Sequence, residues 1–540
     1  MKNHAHDSIG CCCSDKVHRE IRNRLFIAEE KTDQLIEFYK RKITDAIQTD
    51  RTEDRLTAFN LLPYKRNEVF TATIITKLSS FQLEDETGNR IDFEVLEKEV
   101  IDPGLIDRQI VHYGNYDPFY KYTVQLKDTI PAMGYKTYFI LEGENSMDHS
   151  FKEVNTIETD FYSISVNKNG TLKIFDKQTN ELFDQVLLLE NGGDDGDEYD
   201  YSPLLGEKLI YSHDVEAKSI VRQNKYGGEI TISLCLPVPS DLEARKNGET
   251  DCSVDVKWHI TVAKSKPILH IHAEIENYAK DHRLRVLVPT KIASRVSFAD
   301  NQFGLIKRGV FDEAMGVWEK EGWSERPDAI YPMLSFVGLA NDNRGVFVLT
   351  NSTREYEIVG DKFDTIAITL FRSIGVLGKE ELIRRPGRPS GIKLPTPDSQ
   401  MIGKLELDFA ITTYAGTFDG VKIARIGKEY TTKIETYNKI PYDAMKLNPS
   451  GIHTPANFSL LEEIGETVGV ISTLKKAEKE DALVLRLYNP SEQGVNVKMK
   501  GAQQASEVNL NETYLHSLDV EQGTFTLFIK PNEVKTVQLK

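Results

Sequence analysis

Val254, Val256, Trp258, Ile260 and Val262 alternate with Asp255, Lys257, His259 and Thr261. A repeat of two places one set on a buried face and the other in water, which a strand does and a helix cannot. The same grammar starts near Phe59, with apolar and β-branched runs at residues 69–75 and 91–95 separated by turn residues. Asn169-Gly170 stands between the runs 162–166 and 171–175, the strongest short-range hairpin signal. With many short strands and no regular alternation of strand and helix, the chain reads as mainly β. The expected fold is several antiparallel β-sandwich domains behind a short N-terminal helical segment.

That helical segment is marked by Val17, Ile21, Leu25 and Ala28, then by Ile36, Tyr39, Ile43 and Ala46, at spacings of three and four. Ser14 or Asp15 is placed to cap the first helix. At 540 residues the chain exceeds what one core can hold and should divide into about three or four domains. The expected boundaries are a helical segment at 1–55 resembling a three-helix bundle, a small β-sandwich at 56–145, a large one at 146–440 and a terminal small β domain at 441–540. They rest on turn-rich stretches near Gly143, between Pro441 and Pro455, and at 502–506.

Composition narrows the function. Hydrophobic residues make up 40% and charged residues 28%, ordinary globular values. The net charge of −16 disfavours nucleic acid and anionic membrane surfaces, so Arg384-Arg385-Pro386-Gly387-Arg388 reads as an ordered basic loop. Five cysteines, three of them consecutive at 11–13, make no disulfide framework and fit a reducing compartment. Without a signal-like start or a membrane-length apolar run, a cytoplasmic protein is expected.

Two stretches carry chemistry. The first is His4-Ala5-His6-Asp7. An imidazole there suits zinc, and the adjacent carboxylate suits sugar hydroxyls or the orientation of a ligand, although a His-Asp pair alone is more readily explained by capping the next helix. The second, residues 190–203, combines glycines, five acidic residues from 194 to 200 and Tyr199. It reads either as a sugar-facing loop or as a solvated acidic turn. A calcium loop fails on spacing, because Tyr199 falls where a ligand is needed. His270, His272 and Glu274 share one strand face, which a wet surface explains more readily than a metal does. His282, Arg283 and Arg285 read as a polar rim.

The run His6-Asp7-Ser8-Ile9-Gly10 through Val17-His18 resembles the zinc segment of the glycoside hydrolase family 38 α-mannosidases. So do, in family order, residues 59–66, Asn169-Gly170-Thr171-Leu172, the acidic loop, residues 281–290 and Arg388-Pro389-Ser390-Gly391. The likeness covers essentially the whole chain and resembles the portion of that family following an N-terminal α/β domain. It implies a retaining glycosidase acting on terminal α-mannosyl residues of oligosaccharides, with zinc binding sugar hydroxyls. His6 matches the last zinc ligand, Asp7 the sugar-binding aspartate, Tyr199 the tyrosine that closes on the sugar and Asp197 a further sugar contact.

The family's His-x-Asp motif is missing from these residues, and its usual glycine before the motif cysteine is replaced by Cys12. No nucleophile or acid is therefore assigned to this chain. Catalysis is expected to need a separate N-terminal catalytic domain that brings the other zinc ligands. Beyond that domain, a mannosyl oligosaccharide and self-association into a homo-oligomer are the expected partners. The competing readings are a non-catalytic carbohydrate-binding or scaffold β protein and, third, a hydrolase using carboxylates of the β region alone.

Overall fold

The computed structural model of the chain describes residues 5–101, 119–144, 151–439, 451–465 and 469–540. His4 and the 441–450 part of the expected turn-rich boundary lie outside them. The described chain is dominated by antiparallel strands, as the alternation requires. No helix among the described residues is long and apolar enough to cross a membrane.

The N-terminal segment is a single turn of helix, α1 (His6–Ile9), followed by α2 (Asp15–Ala46). The two periodic stretches of the sequence are one continuous 32-residue helix, since the residues joining them include neither glycine nor proline. Ser14 occupies the N-cap position of α2 but its side chain caps nothing. Only Ile21, Lys40, Thr44 and Ala46 of α2 are buried, whereas Leu25, Phe26, Leu35, Phe38 and Tyr39 are exposed. Exposed apolar side chains are thus spread around α2 instead of being gathered under the sheets.

The first sandwich packs a six-stranded sheet on a three-stranded one around Leu56, Ile74, Phe81, Tyr122 and Tyr138. Its edge is completed from far along the chain: strand Glu435–Lys439 pairs with Asp54–Asn60, and Asn457–Ser459 pairs with Gly134–Glu142. The large central region combines ten-, six- and four-stranded sheets. Its ten-stranded sheet contains the strand Cys252–Ala263, whose Val254, Val256, Trp258, Ile260 and Val262 all face the main core. The strands Tyr162–Val166 and Leu172–Asp176 form the expected hairpin. Gly170 turns it at φ +82°, where a Cβ would stand 2.8 Å from that of Ala217. The terminal region, from Glu462 onward, packs four- and five-stranded sheets around Leu485, Val497, Phe525 and Val537.

The strand face bearing His270, His272 and Glu274 is laced across strands. His272 pairs with Asp408 at 3.0 Å and His259 with Glu274 at 2.9 Å, while His270 stacks on Tyr430. The rim reading of His282, Arg283 and Arg285 is corrected: all three are buried, because strand His282–Pro289 runs inside the six-stranded sheet with neighbours on both sides. There Arg285 forms ion pairs with Glu190 and Glu357.

His282 is held as a neutral ring. Asn191 Nδ2 donates to its Nδ1 at 2.7 Å, and its Nε2 donates to Asn277 Oδ1 at 3.0 Å. Burial, reinforced by the nearby Arg245 charge, pushes its pKa down to about 3. Burial also lowers that of His270 to about 4. Unfolding releases both rings to protonate near pH ~6.5, so their contribution to stability is complete above that pH and is lost as pH falls toward 3. Each ring adds a slope of about 1.4 kcal/mol per pH unit within its window. Urea unfolding between pH 4 and 6.5 should therefore show stability rising with pH, and His282→Gln should flatten that rise by the equivalent of one proton. An unchanged slope contradicts a neutral buried His282.

Candidate active site

Four residues of the sugar-site reading come from two segments, and the fold brings these segments together. In the first, the amides of Gly10 and Cys12 donate to the carbonyls of His6 at 2.8 Å and of Asp7 at 2.9 Å, closing the turn. The turn continues through Cys11 in the left-handed region at φ +65°, a conformation unfavourable for a residue with a Cβ. His6 points into solvent with its side chain 95% exposed, and its Nε2 lies 3.2 Å from Asp7 Oδ1. The three thiols are not reactive thiolates. Burial, and after it the Glu198 charge, raises each of them, Cys12 to about 11.

The second segment is the acidic loop, which reaches the first through Cys12 Sγ, 3.6 Å from the carbonyl oxygen of Glu198 and 186 positions away in sequence. Tyr199 is half-buried beside it. Its phenol is raised by burial and then by the charges of Asp7, Cys12, Asp197 and Glu198, so it remains a protonated donor at neutral pH. The Asp7 contribution places that carboxylate within electrostatic reach of the ring. Behind the ring lies Gly391, where a Cβ would stand 2.7 Å from Tyr199 Cε2. That glycine closes the Arg388-Pro389-Ser390-Gly391 motif, whose purpose the sequence did not disclose.

Neither composition-based reading of the acidic loop describes its carboxylates. Four of the five, Asp194, Asp195, Asp197 and Asp200, are paired with basic side chains and not gathered on an open site. Asp194, whose side chain is fully buried, accepts two bonds from Arg372 at 2.6 and 3.2 Å. Asp195 pairs with Lys379, and Asp200 with Arg384. Asp197 is also fully buried: its Oδ1 accepts from the amides of Tyr199 and Asp200, and its Oδ2 from the Lys379 amide and, at 2.5 Å, from Arg385. With both oxygens taken and its side chain buried, Asp197 is not placed for the sugar contact expected of it and instead fixes the backbone at Tyr199. Arg384 and Arg385 of the basic loop are the counterparts of Asp200 and Asp197.

Among the described residues, His6 belongs to no group of three metal-capable side chains. Zinc needs at least three protein ligands. Exposed His6 beside Asp7 therefore fits one corner of a zinc site and cannot hold the ion alone.

Comparison with known proteins decides the family. Residues 157–376 match the model described as "Glycosyl hydrolases family 38 C-terminal domain", and residues 470–537 match "Glycosyl hydrolases family 38 C-terminal beta sandwich domain". The chain belongs to glycoside hydrolase family 38. A Halalkalibacterium halodurans protein named "Putative mannosylglycerate hydrolase" is 23% identical over the whole of this chain, which spans 62% of that relative's length. An α-mannosidase structure from Enterococcus faecalis V583 superimposes on the whole chain with a TM-score of 0.81 at 21% identity, with 62% of its own length covered. A second Enterococcus faecalis family 38 structure gives 0.80 at 21% identity, with 65% covered. In these family 38 relatives the matched fold is thus part of a longer protein.

Proposed function

We propose that this chain is the C-terminal part of a zinc-dependent retaining α-mannosidase that removes terminal α-mannosyl residues, and that it turns over substrate only with the remaining part of such an enzyme. The observation carrying this reading is the meeting of the His6–Asp7 turn with the loop of Tyr199, two segments whose residue types suit a sugar site and whose sequence positions are far apart. In it, His6 is one zinc ligand and the other ligands and the nucleophile come from outside these 540 residues. Zinc, when bound, would act as a Lewis acid and as a template for vicinal hydroxyls.

The remaining roles belong to this chain. Asp7 accepts hydrogen bonds from sugar hydroxyls, with its position fixed by the turn that Gly10 and Cys12 close. Tyr199 lays its ring against the C–H face of the sugar and donates its phenol proton to an oxygen. Gly391 lets the ring lie back, and Asp197 with Arg385 holds the loop beneath it. The exposed apolar side chains of α2 offer contacts for the rest of the protein.

The test is release of 4-nitrophenol from an aryl α-mannoside by the chain alone and by the chain completed with the uncovered portion of the Enterococcus α-mannosidase. Turnover only in the completed form, abolished by a chelator, supports the reading; zinc-independent turnover by the chain alone overturns it. In the completed form, Gly391→Ala should push the Tyr199 ring aside and raise KM about tenfold, about 1.4 kcal/mol of binding. The clash is with a mobile ring edge, so urea unfolding should move by less than about 1 kcal/mol. An unaltered KM contradicts the place given to Tyr199.

A further inference from the structure

Asp15 and His18 stand three residues apart on the first turn of α2, and therefore on one face. Glu198 of the acidic loop meets them there. One ligand atom from each of the three lies within 4.8 Å of the others. The two carboxylates share a pattern. Each uses one oxygen to grip the same distant turn: Asp15 Oδ2 accepts from the Asp398 amide at 3.1 Å, and Glu198 Oε1 accepts from Ser399 Oγ at 2.6 Å. Each leaves its other oxygen, Asp15 Oδ1 and Glu198 Oε2, buried and without a hydrogen-bond donor. A buried carboxylate oxygen with no donor is costly.

His18 Nε2 lies 3.0 Å from the carbonyl oxygen of Cys11. A carbonyl only accepts, so Nε2 holds the proton and Nδ1 the lone pair. This carbonyl–imidazole contact is the one that typically fixes the ring of a metal-binding histidine. The nearest arginine in sequence, Arg19, is engaged by Asp398 through bonds of 2.6 and 2.8 Å. Among the described residues, no lysine or arginine forms an ion pair with Asp15 or Glu198. Nor is Asp15 acting as a helix cap, since the N-cap position is Ser14.

We propose that Asp15, His18 and Glu198 form a binding site for a divalent transition cation of the zinc or manganese class, distinct from the ion that His6 would help to hold. Two carboxylates match the ion's charge, and the imidazole favours these metals over calcium and magnesium. The ion supplies what the two orphaned oxygens lack. It fastens together the start of α2, the tip of the acidic loop and the Asp398–Ser399 turn, and so fixes the backbone on which Tyr199, the next residue after Glu198, is carried. This inference does not rest on the mannosidase reading.

The test is calorimetric titration of the chelator-treated 540-residue chain with Zn²⁺, and separately with Ca²⁺. The expected result is one equivalent of Zn²⁺, bound about 100-fold more tightly than Ca²⁺, weakened at least about tenfold by His18→Gln or Glu198→Gln and untouched by His6→Ala. Because those variants can disturb folding, zinc-soaked crystals of the unaltered chain give a second readout, an anomalous peak between Asp15 and Glu198. Failure to bind Zn²⁺, binding of Ca²⁺ alone, loss of the ion in His6→Ala but not in His18→Gln, or no anomalous peak at these side chains would each overturn the proposal.

Discussion

Arg385→Met is expected to cost about 3–5 kcal/mol of stability, because removing one partner of a buried ion pair strands the other charge. The Arg385 side chain is 3% exposed and that of Asp197 is fully buried. Three backbone amides remain on the carboxylate after the substitution, but no formal positive charge does. The double variant Arg385→Met/Asp197→Asn should recover much of the loss, since an amide in the same place carries no charge to strand. Urea unfolding of the two variants measures this directly. Equal loss in the single and double variants would mean that Arg385 matters through its packing instead. The effect should reach function too, because Asp197 holds the Tyr199 and Asp200 amides and thereby sets the loop that meets the His6–Asp7 turn.

Trp258→Ala should be comparably damaging, about 3–5 kcal/mol, through the cavity left in a close-packed core. Trp258 is fully buried and stands edge-to-face with Phe409 at 6.1 Å. Its indole Nε1 has no hydrogen-bond partner, so the residue acts by volume and shape alone. Trp258→Phe should consequently cost less than half as much, because no polar bond is lost and most of the ring volume stays. A Phe variant as unstable as the Ala variant would show that something other than filled space is needed there.

These two positions differ in how far the sequence exposed them. Trp258 was legible as a core residue because it sits in a strict repeat of two, a local pattern that only one strand orientation satisfies. The hairpin at Asn169-Gly170 was legible for the same kind of reason. α2 was legible as helix, but its continuity and the exposure of its apolar side chains were not, because periodicity reports a face and not what covers it. The strand Glu435–Lys439 that completes the first sandwich carries no local sign that its partner is Asp54–Asn60.

The Asp197–Arg385 pair belongs to that second kind. Each of its two charge clusters was visible and each had a bland explanation, an acidic turn and a basic loop. Their mutual neutralisation depends on a fold that brings residues 194–200 against 372–385. His282 and Arg285 looked like surface for a similar reason: charged side chains in a strand are ordinarily wet, and only the buried partners Asn191, Asn277, Glu190 and Glu357 overrule that. At the candidate site, the meeting of the His6–Asp7 turn with the loop of Tyr199 had no local sign in the sequence. Glu198 and Gly391 were not singled out, although each touches the same loop.

If the His6 imidazole serves a metal-dependent sugar site completed by protein outside this chain, the zinc-dependent hydrolysis rate of the completed enzyme should depend on it. The measurement compares that enzyme carrying His6→Ala with the same enzyme unaltered. Loss of one metal ligand is predicted to lower kcat/KM at least about 100-fold, with the unfolding curve unmoved because His6 is exposed and holds nothing else in place. A completed enzyme that hydrolyses the mannoside equally well without that imidazole would contradict the account.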